Sequence, residues 1–95
     1  MPYYVYILHS SKLNRFYIGT TDNVDKRVEE HNTSKYMDAF TTKGIPWNLY
    51  LCIVCNSSEQ AYQIEHFIKK MKSSEFIKRM KEDSKISDDL LKRFR

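Results

Sequence analysis

The 95-residue sequence contains no apolar run approaching the ~20 residues that span a bilayer, and no basic stretch precedes an apolar one at its N-terminus. It also lacks internal repeats, low-complexity tracts and linkers, so it reads as one domain, residues 1–95, with room for a single core. We therefore expect a cytoplasmic protein. Cysteine is scarce: only Cys52 and Cys55 occur, in the segment LCIVCNS. A zinc site needs further ligands, and His9, His31 and His66 show no pair spacing to supply them. In an extended strand, residues three apart point to opposite faces, which disfavours both a chelate and a disulfide. Both cysteines are expected to serve as small buried or half-buried apolar residues.

What is present is a local excess of positive charge. The formal net charge is +4, and residues 69–95 hold ten Lys and Arg against five Asp and Glu, so that quarter carries +5 and the remainder −1. A basic surface of this kind can track phosphates and release counterions, although a lysine-rich helix is as often a solvated face.

The most organised stretch is YYVYILHSSKLNRFYIGTTDNVDKRVEEHN, from Tyr3 to Asn32. Aromatic and branched residues dominate Tyr3 to His9, which suits a pleated, half-buried strand. SSKLNR supplies a polar loop and FYIGT a second strand, making a hairpin in which Tyr6 and Tyr17 lie close if they share a face. Asp22 or Asn23 can cap a short helix whose inward stripe is Val24 and Val28. Arg27 and His31, four apart, then stand one helical turn from each other on a face flanking the buried one. Singly, such tyrosines are usually packing residues, and a helical Arg or His usually solvates a face.

Further on, Gly44 and Pro46 preclude a continued helix, so TSKYMDAFTTKGIPW reads as a long loop ending at Trp47. It carries Lys35, Tyr36, Thr41, Thr42 and Lys43, groups that can hold a phosphate or stack on a base, while Tyr36 and Phe40 could equally tuck the loop onto the core. WNLYLCIVC is the most apolar run and predicts a third strand, buried on both faces and central in the sheet. Ser57 or Ser58 caps the next helix, in which Ala61, Ile64, Ile68 and Met71 form the inward stripe. Phe76, Ile77 and Met80 are the apolar contacts of a further capped helix that turns Lys78, Arg79 and Lys81 outward. Leu90, Leu91 and Phe94 mark a terminal helix or a frayed tail. Glu65 falls at the edge of the packed face, where a carboxylate either pairs, with Lys69 at i+4, or has a chemical task.

Tyr4-Val5-Tyr6, then Tyr17-Ile18-Gly19, then Arg27 ten positions after Tyr17 and His31 four further on, together resemble the GIY-YIG nuclease family. The likeness runs from Tyr3 to about Arg79 and is nearest the small stand-alone branch, which lacks the DNA-binding domains that repair and homing endonucleases append. Tyr4 stands where the first motif has glycine, as in small members that read YVY. Thr20 follows Gly19 where some members have a lysine that partners a phosphate or a proton. The resemblance implies an α+β fold, a three-stranded, mainly antiparallel sheet flanked by helices, with the site where the sheet meets the first helix and the helix bearing Glu65.

It further implies a metal-dependent endonuclease acting on nucleic acid, expected to be DNA, in repair or processing. Glu65 would hold a single Mg²⁺ or Mn²⁺ whose other ligands are phosphate oxygens and water. Arg27 would grip the phosphate with its fixed fork of donors, Tyr6 or Tyr17 would orient or deprotonate water, and His31 would orient a tyrosine or relay a proton. A phenol of pKa ~10 is a poor base near neutrality and would need the cationic field of Arg27 and the metal. Lys35, Lys43, Lys69, Lys70, Lys78 and Lys81 are the candidate nucleic-acid contacts. Two other readings compete: a nucleic-acid-binding module of the same fold without turnover, and an interaction module whose basic C-terminal helices dock an acidic protein.

Overall fold

The computed structural model describes residues 2–33 and 42–95. Its elements are β1 (Tyr3–Ser10), β2 (Arg15–Thr21), α1 (Val24–Asn32), β3 (Asn48–Cys55), α2 (Ser58–Met71), α3 (Ser74–Glu82) and α4 (Ser84–Arg93). The three strands form one sheet in the order β2-β1-β3, with both pairings antiparallel. The fold is thus α+β, as the sequence implies. Most of the long segment before Trp47, including Lys35, Tyr36, Phe40 and Thr41, lies outside the described residues.

The central strand is β1, not β3. Val5, Tyr6, Ile7 and Leu8 are buried in succession, which requires cover on both faces of the sheet. In β3 the apolar residues of both parities disguise an ordinary alternation. Ile53 and Cys55 point inward, whereas Val54 is 60% exposed; Leu49, of the inward parity yet 46% exposed, lies beyond the register shift that follows the Ile7–Leu51 pair. Cys52 is exposed as well, so only Cys55 is the buried apolar thiol expected, and both are free.

Opposite faces of β1 feed two cores. On one face Val5 and Ile7, with Ile53 and Cys55 of β3, meet Ala61, Ile64 and Ile68 of α2, Ile77 and Met80 of α3, and Leu90 of α4. Full burial of each large aliphatic side chain here contributes about 1.5–3 kcal/mol. On the other face Tyr6 and Leu8 pack with Trp47, and Val24, Val28, Leu13, Tyr17 and Ile45 close around them. The helix α1 therefore covers the side of the sheet that α2 does not.

Caps set the helix starts. Asn23 Oδ1 accepts from the Lys26 N–H, Ser57 Oγ from Gln60 and Ser73 Oγ from Phe76, each at 3.1 Å, and Asp83 Oδ1 accepts from Lys85 at 3.0 Å. At the far end of α2 Lys72 takes a left-handed conformation, φ 49° and ψ 41°, and ends the helix. Met71, in this last turn, is 44% exposed rather than part of the inward stripe, because the stripe ends at Ile68. The tail is helical. Gln60, 4% exposed, accepts from the Asn56 N–H at 2.7 Å and donates to the Leu91 carbonyl at 3.0 Å, fastening α4 to the start of α2.

Candidate active site

The β1–β2 register places Tyr6 opposite Gly19 and Leu8 opposite Tyr17, so both tyrosines share the face that α1 covers. Their rings stack with centroids 6.4 Å apart and planes 24° apart. Gly19 makes this possible. A Cβ at that position would collide with the Tyr6 hydroxyl and come within 2.6 Å of its Cζ, leaving no space for the phenol.

His31 completes the cluster from α1. Its ring lies 6.0 Å from Tyr6 and 4.7 Å from Tyr17, edge-on to the latter, and its Nε2 is 3.2 Å from the Tyr6 hydroxyl. The helical spacing suggests a flank position, but His31 is 3% exposed and belongs to the buried face. Its partner on the sheet is the reason: a phenol pointing up from β1 gives an imidazole a buried hydrogen bond, which makes its burial tolerable. Burial pushes the His31 imidazole below its ordinary pKa, the positive charge of Arg27 acts in the same direction, and Glu30 opposes both. The neutral ring is thereby favoured, and in the tautomer carrying its proton on Nδ1 it accepts the Tyr6 O–H at Nε2.

Arg27 lies one turn earlier on α1, partly exposed, with its Nε 3.5 Å from Glu30 Oε1. It borders a polar depression of about 140 Å³ at the start of α1 that Thr21, Asp22, Asn23, Lys26 and Glu30 also line. The structure therefore brings Tyr6, Tyr17 and His31 into direct contact, with Arg27 one helical turn from His31 and near enough to act on its charge. Tyr6 is 1% exposed and Tyr17 half-buried, so Tyr17 is the phenol at the surface.

Two supporting residues escape a reading of the sequence. Trp47, 1% exposed, packs its ring at 68° to Tyr17 with centroids 6.1 Å apart. The Asn32 side chain clamps the Trp47 backbone, accepting from its N–H at 2.6 Å and donating to its carbonyl at 2.9 Å. This joins the end of α1 to the start of β3 and holds His31, the preceding residue, over the sheet. Only the burial expected of a lone tryptophan hints at Trp47; an Asn at a helix end looks like any other terminator.

Glu65 stands apart from this group. Its helix packs on the opposite face, across β1 and β2, and its carboxylate, 21% exposed, pairs with Lys69 Nζ at 3.3 Å. Among the described residues no group of three or more His, Cys, Asp or Glu could hold a metal ion. A lone carboxylate of this kind fits an ion that keeps several waters and takes its remaining ligands from phosphate, but not a cage of protein donors.

The lysines are dispersed. Lys43 and Lys70 are exposed, Lys69 pairs with Glu65, and Lys78 lies 3.9 Å from Glu75. Lys81 donates to the Tyr50 carbonyl at 2.8 Å and sits over the Tyr50 ring, at the outer strand of the sheet. Lys35 is outside the described residues.

The site is thus a hairpin with two stacked tyrosines, roofed by a helix that sets a histidine against them and carries an arginine one turn away, and comparison with known proteins gives its class, a nuclease-type catalytic domain. Residues 2–82 match the model of the GIY-YIG catalytic domain, and the chain belongs to that family. Its relatives are small UPF0213 proteins. One from Syntrophus aciditrophicus (strain SB) is 35% identical over 80 residues, 84% of this chain and 91% of that one. Another from Bacillus licheniformis is 30% identical over 69 residues, 73% of this chain and 69% of its own. The solution NMR structure of a UPF0213 protein from Bacillus halodurans matches with a TM-score of 0.51 and 31% identity, covering 84% of this chain and 82% of that one. Membership implies nuclease-type chemistry on nucleic acid, and nucleases of this family generally use divalent metal ions. No helix among the described residues is long and apolar enough to cross a membrane.

Proposed function

We propose that this protein is a metal-dependent endonuclease that hydrolyses phosphodiester bonds of DNA in repair or processing, acting in the cytoplasm. The observation that carries the reading is the convergence of Tyr6, Tyr17 and His31 on one face of the β1–β2 hairpin, with Arg27 one helical turn from His31. Since β2 is an edge strand, with α1 on one side and α2 on the other, the scissile phosphate would straddle that edge, reached by Tyr17 and Arg27 from one face and Glu65 from the other.

In this arrangement Arg27 binds two phosphate oxygens through its fork of N–H donors and balances the charge that gathers on them. Tyr17, the surface phenol, orients the attacking water, and it can take the water's proton only as the phenolate, its own proton having first passed to solvent. The buried Tyr6–His31 pair fixes the Tyr17 ring through stacking and edge contact. Glu65 would hold Mg²⁺ or Mn²⁺ by one carboxylate after Lys69 swings aside, and such an ion supplies positive charge against the phosphate oxygens. Lys43, Lys69, Lys70, Lys78 and Lys81, together with Lys35, would contribute sequence-independent contacts to the backbone.

The 3.3 Å Glu65–Lys69 pair favours a second reading, a module that binds nucleic acid without turning it over, because that carboxylate already has a partner. Nicking of supercoiled plasmid and of branched DNA with Mg²⁺ or Mn²⁺, by wild type and Glu65→Ala, separates the two. Nicking that needs both the metal and Glu65 supports the enzyme. Its absence on every substrate, with binding retained, supports the module.

A further inference from the structure

The strongest feature outside the tyrosine cluster is a groove of about 400 Å³ between α2 and α4, within the size range of small-ligand clefts. Tyr62, His66, Phe67 and Lys70 line it from α2, and Arg93 and Phe94 from the end of α4. Its α4 wall lies beyond residue 82, where the match to the catalytic-domain family ends.

The groove combines flat rings with positive charge. Tyr62, His66 and Lys70 occur every fourth residue, so they rise along one helix face in steps of ~6 Å. Tyr62 is 50% exposed, yet its ring is steadied by an edge contact from Tyr3, centroids 5.8 Å apart at 72°. Phe67 and Phe94 are half-buried and pack on each other at 5.8 Å, forming the floor. The Arg93 guanidinium lies over both rings, 4.9 Å from Phe67 and 5.4 Å from Phe94, and the residue remains exposed to solvent. No carboxylate lines the groove among the described residues, although the chain has twelve Asp and Glu.

An anchored exposed ring, a guanidinium plane and an exposed ammonium are what an unpaired nucleotide needs: a surface for its base and cations for its phosphates. Base pairs in a duplex hide those faces in their own stack. We propose that this groove is a second nucleic-acid site that binds unpaired DNA, with a base stacked on Tyr62 and the adjoining phosphates held by Lys70 and Arg93. It rests on the reading that the protein acts on nucleic acid, though not on catalysis. The nuclease would then favour substrates with a single-stranded flank or a branch.

The test is fluorescence anisotropy with labelled oligothymidylate of about ten nucleotides, in EDTA so that no cleavage intervenes, compared with a duplex of equal length. Tyr62→Ala is expected to weaken single-strand binding about tenfold, with Tyr62→Phe within about twofold of wild type. Arg93→Gln lowers the salt slope by ~0.7, one phosphate contact on a single strand. Duplex binding should not respond to Tyr62→Ala. Circular dichroism establishes that each variant is folded, and the surface position of Tyr62 makes its replacement safe for the core. Unchanged single-strand affinity in folded Tyr62→Ala overturns the proposal, as does an equal loss on duplex. Tighter binding of oligouridylate overturns the assignment to DNA, and competition by polyglutamate that depends on Tyr62 reassigns the groove to an acidic peptide. Failure of cleavage on every substrate bears only on the nuclease reading.

Discussion

The hydroxyl of Tyr6 and Nε2 of His31 meet at 3.2 Å inside the protein, joining the central strand to the helix that roofs it. Both residues are almost wholly buried, so this contact fixes the height of α1 over the sheet. Tyr6→Phe keeps the ring and removes the bond, and should cost about 1 kcal/mol. Chemical denaturation measures the stability, and the cleavage assay should show a lower rate with DNA affinity retained. Gly19→Ala strikes the same phenol sterically and should be worse, about 1–3 kcal/mol, because the hydroxyl has nowhere to retreat.

Stability should depend on the His31 imidazole in a definite direction. Its pKa is lowered in the folded protein, chiefly by burial, so below ~6.5 the unfolded chain takes up the proton first. Stability contributed by the neutral ring is complete above that pH, declines as pH falls through the window below it, and levels off under the folded pKa. The thermal midpoint should therefore fall between about pH 7 and pH 5. His31→Gln should flatten that part of the profile, and an identical slope in the variant would remove His31 as its source.

Arg27→Lys keeps the charge but loses the planar fork, so it should lower turnover more than affinity. Glu65→Gln keeps the shape and discards the charge that would hold a cation, and should abolish cleavage with an unchanged circular dichroism spectrum. Single-turnover kinetics at saturating enzyme distinguishes loss of chemistry from loss of binding. Equal activity in the first variant would make Arg27 a helix-surface residue paired with Glu30.

Lys72 offers a prediction independent of function. It ends α2 at φ 49°, a left-handed conformation in which an L side chain costs about 1–2 kcal/mol and glycine almost nothing. Lys72→Gly should stabilise the protein by up to about 1 kcal/mol, or ~4–8 °C in Tm. A lower Tm would show that the Lys72 side chain contributes more than its backbone strain removes.

Much of this architecture was legible because local signals agreed with it. The YYVYILH and FYIGT segments carry strand preferences around a polar loop, and Asn23, Ser57 and Ser73 cap the helices they precede. The identity of the central strand is hidden in the sequence for a definite reason. Apolar residues fill both parities of β3, and a sequence does not say which parity faces water; Val54 and Cys52 do, and Ile53 and Cys55 do not. His31 was legible as a member of the tyrosine cluster but not as a buried residue, since its burial depends on Tyr6, 25 residues away. The Asn32 clamp on Trp47 likewise depends on chain-distant partners. Helix spacing alone also could not say that α1 and α2 cover opposite sides of the sheet.

The buried amide of Gln60 bears on where this domain may be trimmed. Similarity to the catalytic family stops at residue 82, an inviting place to cut. Shortening the protein there would strip Gln60 Nε2 of the Leu91 carbonyl and uncover the aliphatic surface that Leu90 closes. A polar group left unpaired in that position costs about 1–3 kcal/mol before the lost burial is counted. The last helix is thus part of the folding unit even though it lies outside the shared catalytic frame, and a shortened form that failed to cleave DNA would say nothing about the tyrosines.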